Sequence, residues 1–304
     1  MTSAASPGGK ARHGIGNADA MLGVLLVAPI LLTMVGLVFY PLTQSLWDSL
    51  HRVNPMQPGT PFIGLGNYTR MLTDAQLNTS WFNSFIYVVL SVAAETVFGV
   101  LAAALINQVR VGRRWLLAAV VLPWALPGVV NAVIWMWIYH PGAGLLNGIL
   151  TAVGLPYENH VWFNERASAI IAVTVVHVWR MMPLTVVIVL AAMQSIPSHL
   201  YEAARIDGAT RFQMFTGITL PLIRTALAVS MTNGTVQAFN LFDEAWVLGG
   251  ASLETRPVLV QIYLETFQNL QFSYGMALSL AITVVSLLIS LVYVLRVYRS
   301  TRFE

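Results

Sequence analysis

The chain has 304 residues, of which 57% are hydrophobic and 10% charged, far from the make-up of an average water-soluble domain. Its formal charge of +3 is too small to argue for nucleic acid, and the absence of cysteine excludes disulfides and thiolate metal sites. The single lysine, Lys10, is followed by Ala11, so the Gly-Lys-Ser/Thr core of a P-loop is absent.

Residues 1–20 are small, polar and weakly basic and are expected to be disordered. The apolar run from Met21 to about Leu46 is too long for a signal-peptide core, and Phe39-Tyr40-Pro41 lacks a small-residue cleavage site. It reads as the first span, since about 20 helical residues cross a ~30 Å hydrocarbon core. Residues 47–80, with several prolines and Gly64-Leu65-Gly66-Asn67-Tyr68, read as an external segment; Asn67-Tyr68-Thr69 is also a chance-level glycosylation triplet. Further spans are expected at about 82–106, 115–139, 167–191, 225–247 and 273–296. The loop at 192–224 joins spans four and five, and 299–304 forms a tail. Residues 81–298 would then make up the core domain, behind a first unit at 21–80.

Orientation follows from the basic residues near the span ends. Lys10, Arg12, Arg110, Arg113, Arg114, Arg205, Arg211, Arg224, Arg296, Arg299 and Arg302 collect on one side. Only Arg52, Arg70, Arg166 and Arg256 lie on the other. The first side is therefore expected to be cytoplasmic, together with both termini and the 192–224 loop.

Two spans carry polar groups. Arg180 falls near the middle of span four, where an arginine costs about 2.5–3.5 kcal/mol on insertion scales and needs a partner or a watery cavity. His177, Arg180, Met181 and Leu184 share one helical face, and Pro183 should kink the span. This face is either substrate-facing or a structural ion pair with Glu95, Asp243 or Glu244. In span five, Ser230, Asn233, Gly234, Gln237, Asn240, Leu241 and Glu244 recur every three or four residues as a stripe of four turns. Such a row suits a polar pathway, or it glues helices together. Trp124, Trp135, Trp137, Trp179 and Trp246 are either stacking platforms or interface anchors. The six histidines are dispersed, with no H-E-x-x-H, and there is no G-x-S-x-G, so neither metal nor acyl-transfer chemistry is indicated.

Residues 198–221, SHLYEAARIDGATRFQMFTGITLP, form a charged island between apolar runs. Ser198 reads as a helix cap, and Glu202, placed in the first turn, suits the positive end of the helix dipole. Ala203, Ala204 and Gly208 allow close approach of another surface, and Gly208 suits a helix exit. Thr210 with Gln213 reads as a capping box opening a second short helix. On these signals alone the stretch is equally an ordinary cytoplasmic loop.

Glu202-Ala203-Ala204, then Gly208, Ile218, Leu220 and Pro221, resembles the EAA motif of the membrane-spanning permeases of binding-protein-dependent ABC importers. Ala28-Pro29 through Tyr40-Pro41, the GLGNY at 64–68, Trp179 with Pro183, and FNLFDEAWVLGG at 239–250 resemble the carbohydrate branch, near the maltose and glycerol-phosphate first permease subunits. One departure is Ala251-Ser252 after Gly249-Gly250, where the family often has proline. The resemblance implies an all-α integral membrane protein of six transmembrane helices with the type I ABC importer fold. It implies a non-enzymatic subunit in the cytoplasmic membrane, paired with a second permease chain, two ATPases that hold ATP and magnesium, and an extracytoplasmic binding protein. No cofactor is expected on this chain itself.

By the same resemblance, Ser198, Tyr201, Glu202, Ala203, Ala204, Asp207, Gly208, Ala209 and Phe212 would couple to the ATPase. His177, Arg180, Met181 and Leu184, with Asn233, Gly234, Gln237, Ala238, Asn240 and Leu241, would line the substrate pathway. An integral-membrane enzyme acting on lipid-linked sugars, or a channel or anchor, is the rival reading. Neither accounts for the fixed motif spacing.

Overall fold

The computed structural model describes residues 17–301, with side chains described from 21 to 296. The expected disorder of residues 1–20 therefore lies mostly outside the described residues, while 17–20 are already helical. Among the described residues the chain is helical throughout, with one isolated bridge between His51 and Phe62. Helix α1 (Asn17–Met34) runs through a π-helical turn at Val35–Phe39 into α2 (Tyr40–Ser49). Of this rod, Met21–Ser49 is apolar enough to cross a membrane, and its most apolar stretch is exposed on every side. A helix apolar all round is suited to lipid.

The segment expected to be external is ordered. In it α3 (Gly66–Thr73) is held by buried Asn67, whose Nδ2 donates to the carbonyls of Ser49 (2.7 Å) and His51 (3.4 Å). That role removes Asn67 as a glycan acceptor. Asp74 caps α4 (Ala75–Gln108) by accepting from the Leu77 N–H at 3.0 Å.

Helix α4 is the central column. Its buried residues Ser80, Ser84, Tyr87, Ser91, Glu95, Gly99, Ala103 and Ile106 recur every three or four positions and form one stripe. Lipid tails are as apolar as leucine, so no hydrophobic force drives helices together there; close packing of small side chains does. The stripe supplies that packing, and its most extensive partner is α8 (Arg166–Gln194), which runs without interruption through Pro183.

Between them the chain departs from the expected third span. In place of one rod over 115–139 there are α5 (Arg113–Ala125) and α6 (Gly128–Ile138), bent by 99°. Proline at 123 and 127 frees backbone carbonyls at the break. Buried Asn131 satisfies them, its Nδ2 donating to the carbonyls of Pro123 (3.0 Å), Leu126 (3.3 Å) and Pro127 (3.4 Å). The outer segment that follows folds around α7 (Leu145–Ala152). There Asn147 Nδ2 bonds the carbonyls of Pro141 and His160 while its Oδ1 accepts from Trp162 Nε1.

After α8 come α9 (Ser198–Ile206), then α10 (Arg211–Met214), a π-helical turn (Phe215–Thr219) and α11 (Leu220–Leu222). Helix α12 (Arg224–Phe239) follows, with a 68° bend between Arg211–Leu222 and Arg224–Phe239. The expected span five over 225–247 is thus corrected: its helix ends at Phe239, and Asp243–Gly249 is a separate helix, α13. Helix α14 (Val258–Tyr263), a π-helical turn (Leu264–Gln268) and α15 (Phe272–Thr301) complete the chain. Residues 299–301 belong to α15 and are not a tail; 302–304 lie outside the described residues.

Among the described residues four helices are long and apolar enough to cross a membrane, or up to six spans when each bent pair counts as one. Val88, Val92, Phe239, Leu278 and Ile282 join α4, α12 and α15 in one apolar cluster. Val100, Ala103, Val186, Leu190 and Ile223 lock the opposite end of α4 to α8.

Candidate functional site

Two places concentrate polar chemistry: a buried cluster midway along α4 and α8, and the α9–α10 elbow.

In the buried cluster Arg180 Nε donates to Glu244 Oε1 at 2.6 Å. His177 lies between two carboxylates, with Nδ1 3.6 Å from Glu244 and Nε2 3.7 Å from Glu95. His177 and Glu244 are fully buried and Glu95 nearly so, whereas the Arg180 side chain keeps 22% of its surface. Neither imidazole nitrogen, nor Glu95 Oε1, nor Glu244 Oε2 has a hydrogen-bond partner among the described residues. Of the two readings of Arg180, the ion pair is present, with Glu244 as its partner. Among the described residues this Nε bond is the hydrogen bond Arg180 makes, and the side chain keeps part of its surface exposed.

Local sequence explains how the acids reach this depth. Phe242 ends the non-helical step after α12, and Asp243 and Glu244 open α13, where the helix dipole favours negative charge. The Asp243 carboxylate lies against Gly128, the first residue of α6. Gly234 of α12 faces Glu95: a β-carbon there would stand 2.8 Å from Glu95 Oε2, so a larger residue would oblige the Glu95 carboxylate to shift.

The expected four-turn stripe does not survive the end of α12. Met181, Gly234, Ala238 and Leu241 are buried, Ala238 in one cluster with Val88 and Val92 and Leu241 in another with Tyr87. Leu184, Asn233 and Gln237 are half-buried and Asn240 is exposed. The tryptophans divide as well: Trp135 packs edge-on to Trp179 at 5.7 Å, Trp246 packs on Phe242 and Tyr263, and Trp124 and Trp137 remain exposed.

At the elbow, α9 begins at Ser198 with Pro197 as its cap residue and no side-chain cap, which corrects the expected role of Ser198. Glu202 is the fifth residue of α9, beyond the first turn, so the dipole argument does not apply to it. It is exposed, as are Ser198, Ala203, Asp207, Gly208 and Phe212, while Tyr201, Ala204 and Ala209 are half-buried. Gly208, at φ +80°, ends the helix: its N–H bonds the Arg205 carbonyl at 3.1 Å and the Ala209 N–H bonds the Ala204 carbonyl at 2.9 Å. This is a Schellman arrangement. Two residues later the capping box is complete, with Thr210 N–H to Gln213 Oε1 at 2.8 Å and Gln213 N–H to Thr210 Oγ1 at 3.3 Å. Back-to-back caps make the elbow stiff. Tyr201 Oη shares a 2.8 Å hydrogen bond with buried Thr219, tying α9 to the segment that leads into α12.

Sequence reasoning treats Glu95 only as a possible counter-charge, places Glu244 both there and in the polar stripe, and does not single out Thr219 or Asn131. An acidic residue inside an apolar run was the available signal for Glu95. The Tyr201–Thr219 contact spans 18 residues and left none.

Residues 95–301 match the protein family described as the inner membrane component of binding-protein-dependent transport systems. The chain is 35% identical over 279 residues to the trehalose/maltose transport system permease protein MalF of Thermococcus litoralis, covering 90% of this chain and 93% of that one. It is 30% identical over 287 residues to the sulfoquinovosyl glycerol transport system permease protein SmoG of Agrobacterium fabrum, covering 93% and 92%. In fold it is similar to a chain of a bacterial ABC transporter involved in the import of the acidic polysaccharide alginate. The TM-score there is 0.78 at 24% identity, covering 93% of this chain and 96% of that one. These relatives are transport components rather than enzymes. With about two thirds of its length inside the family match, and both bent spans and the elbow within it, the chain belongs to the inner membrane components of binding-protein-dependent transport systems.

Proposed function

We propose that this chain is the permease subunit of an ATP-driven importer that moves a sugar or sugar-like solute across the cytoplasmic membrane by alternating access. The observation that carries the reading is the α9–α10 elbow: a stiff, exposed knuckle with Ala203 and Gly208 on its surface, bonded through Tyr201 to the root of α12. Such an element transmits a push without absorbing it.

In this reading each bent pair counts as one span, giving six, with both termini and the elbow in the cytosol. A second permease chain, two ATPases holding ATP and magnesium, and an extracytoplasmic binding protein complete the assembly. Residues 21–80 form the peripheral unit and 81–298 the core. Glu202, with Ser198, Ala203, Asp207, Gly208 and Phe212, meets the ATPase. Arg180 offers its free amino groups, and Asn233, Gln237 and Asn240 their amides, to solute hydroxyls. Two relatives at 30% identity or more are named for trehalose/maltose and for sulfoquinovosyl glycerol, which supports a glycosidic solute. Three carboxylates (Glu95, Asp243, Glu244) surround the one guanidinium, and like charges repel strongly in a low dielectric. A neutral polyhydroxylated solute is therefore favoured over a phosphorylated one.

The test is co-purification with the products of neighbouring genes, followed by ATPase assays with trehalose, maltose and glycerol 3-phosphate. Stimulation by a neutral sugar is expected. Sugar chemistry or ATP-independent flux by the isolated chain would contradict the reading.

A further inference from the structure

Behind the elbow lies an open-sided cavity of about 960 Å³, bordered by the end of α4, the end of α8, and the helices α9 and α10. Three guanidinium side chains line it: Arg110 from the loop after α4, Arg205 from the last turn of α9, and Arg211 from the first residue of α10. No carboxylate is among its lining residues, and none of the three arginines forms an ion pair among the described residues. Glu202 and Asp207, the acids closest in sequence, do not line the cavity. The rest of the wall is divided in character. Asn107, Thr210 and Thr219 bring polar groups, while Met193, Met214 and Phe215 form an apolar side.

Three like charges drawn around one cavity without a counter-charge repel one another, and an anion placed among them removes that repulsion. Guanidinium groups match the paired oxygens of a phosphate group in a bidentate fork. We propose that this cavity binds a phosphate group, whether the phosphodiester of an anionic phospholipid or a free phosphate. The apolar side fits the lipid source, because a headgroup there would leave its acyl chain against methionine and phenylalanine. Basic pockets at the inner leaflet are known lipid-headgroup sites in general. A ligand so held touches α4, α9 and α10 at once and would brace the elbow against the spans. The leaflet named here rests on the proposed cytosolic elbow; the phosphate chemistry does not.

The test uses the assembled transporter in nanodiscs of phosphatidylcholine with or without phosphatidylglycerol, read by native mass spectrometry after delipidation. Phosphatidylglycerol should remain bound to the wild-type complex, and Arg110→Gln/Arg211→Gln should lower its retention about tenfold or more. Arg110→Lys/Arg211→Lys, which keeps the charge, should retain most of it and controls for assembly. In phosphatidylcholine alone, inorganic phosphate binding that the glutamine variant abolishes identifies the soluble source and supports the site equally. Equal retention in wild type and glutamine variant, or binding of neither probe, would overturn the proposal. So would binding to the permease chain that vanishes once the ATPase assembles, since an ATPase side chain would then fill the cavity. A complex that retains the lipid but shows no solute-stimulated ATPase activity would instead count against the transport reading and leave this site standing.

Discussion

Tyr201 and Thr219 share a 2.8 Å hydrogen bond across the elbow, with the tyrosine half-buried on α9 and the threonine buried just before α11. The bond joins the surface that would meet a motor to the root of α12, the helix that carries Asn233 and Gln237. Tyr201→Phe keeps the ring and removes the bond. It should cost about 1 kcal/mol of stability and lower solute moved per ATP hydrolysed in proteoliposomes. An unchanged ratio would show that the push reaches α12 by another route.

Gly208 sits at φ +80°, a conformation that costs a side-chain-bearing residue roughly 1–2 kcal/mol. No atom stands near its missing β-carbon, so the strain is in the backbone and not in packing. Gly208→Leu should insert and assemble normally, shown by unchanged membrane yield, while uptake falls and ATP hydrolysis continues.

The Arg180–Glu244 pair is asymmetric in burial, at 22% against 0% side-chain exposure. Removing Arg180 strands a buried carboxylate, a loss of about 3–5 kcal/mol; removing Glu244 leaves a guanidinium that still reaches its exposed side. Arg180→Met should therefore lower the melting temperature of the detergent-solubilised complex more than Glu244→Gln does. Arg180→Met/Glu244→Leu should recover part of the loss, a coupling that a double-mutant cycle reads directly.

Gly234→Ala would set a methyl group 2.8 Å from Glu95 Oε2 and push the buried Glu95 carboxylate out of its place between α12 and α4. Overpacking of this kind costs about 1–3 kcal/mol. The melting temperature should fall, and Gly234→Ala/Glu95→Ala, which clears the space, should not add the two losses.

Asn131→Leu keeps the volume of the side chain but removes the amide donor shared by the Pro123, Leu126 and Pro127 carbonyls, leaving those of Pro123 and Pro127 only the backbone N–H groups of residues 126 (3.4 Å) and 131 (3.1 Å). A loss of about 1–3 kcal/mol is expected. Asn131→Asp, which cannot donate when ionised, should be no better.

The apolar runs made most of the rods legible, because residues facing lipid must be apolar whatever they pack against. The expected spans at 82–106, 167–191 and 273–296 fall inside α4, α8 and α15. The bends were harder to see. Pro123, Pro127 and Gly128 stand in the sequence at the first break, but hydropathy stays high across it, and hydropathy reports depth and not direction. At the second, the polar stripe from Ser230 to Glu244 keeps helical spacing although the helix stops at Phe239, so periodicity ran on past the structure. In the elbow, Gly208 and the Thr210–Gln213 box were readable because both are local devices. Ser198 and Glu202 were misplaced by a single residue, since helix starts depend on backbone angles that residue preferences indicate only loosely. The cluster of Glu95, His177, Arg180 and Glu244 assembles three helices far apart in sequence, and only packing brings them together.

The central claim is that the α9 knuckle is where an external ATPase grips this chain. The natural sequence has no cysteine, so Ala203→Cys provides a single exposed thiol on that surface. In membranes carrying the whole transporter, a short thiol cross-linker should join Ala203→Cys to the nucleotide-hydrolysing subunit, with a yield that changes when ATP is added. A membrane-impermeant maleimide should reach this thiol only in inside-out vesicles. Labelling from the outer face of intact cells, or a cross-link that never captures a nucleotide-hydrolysing partner, would contradict the account.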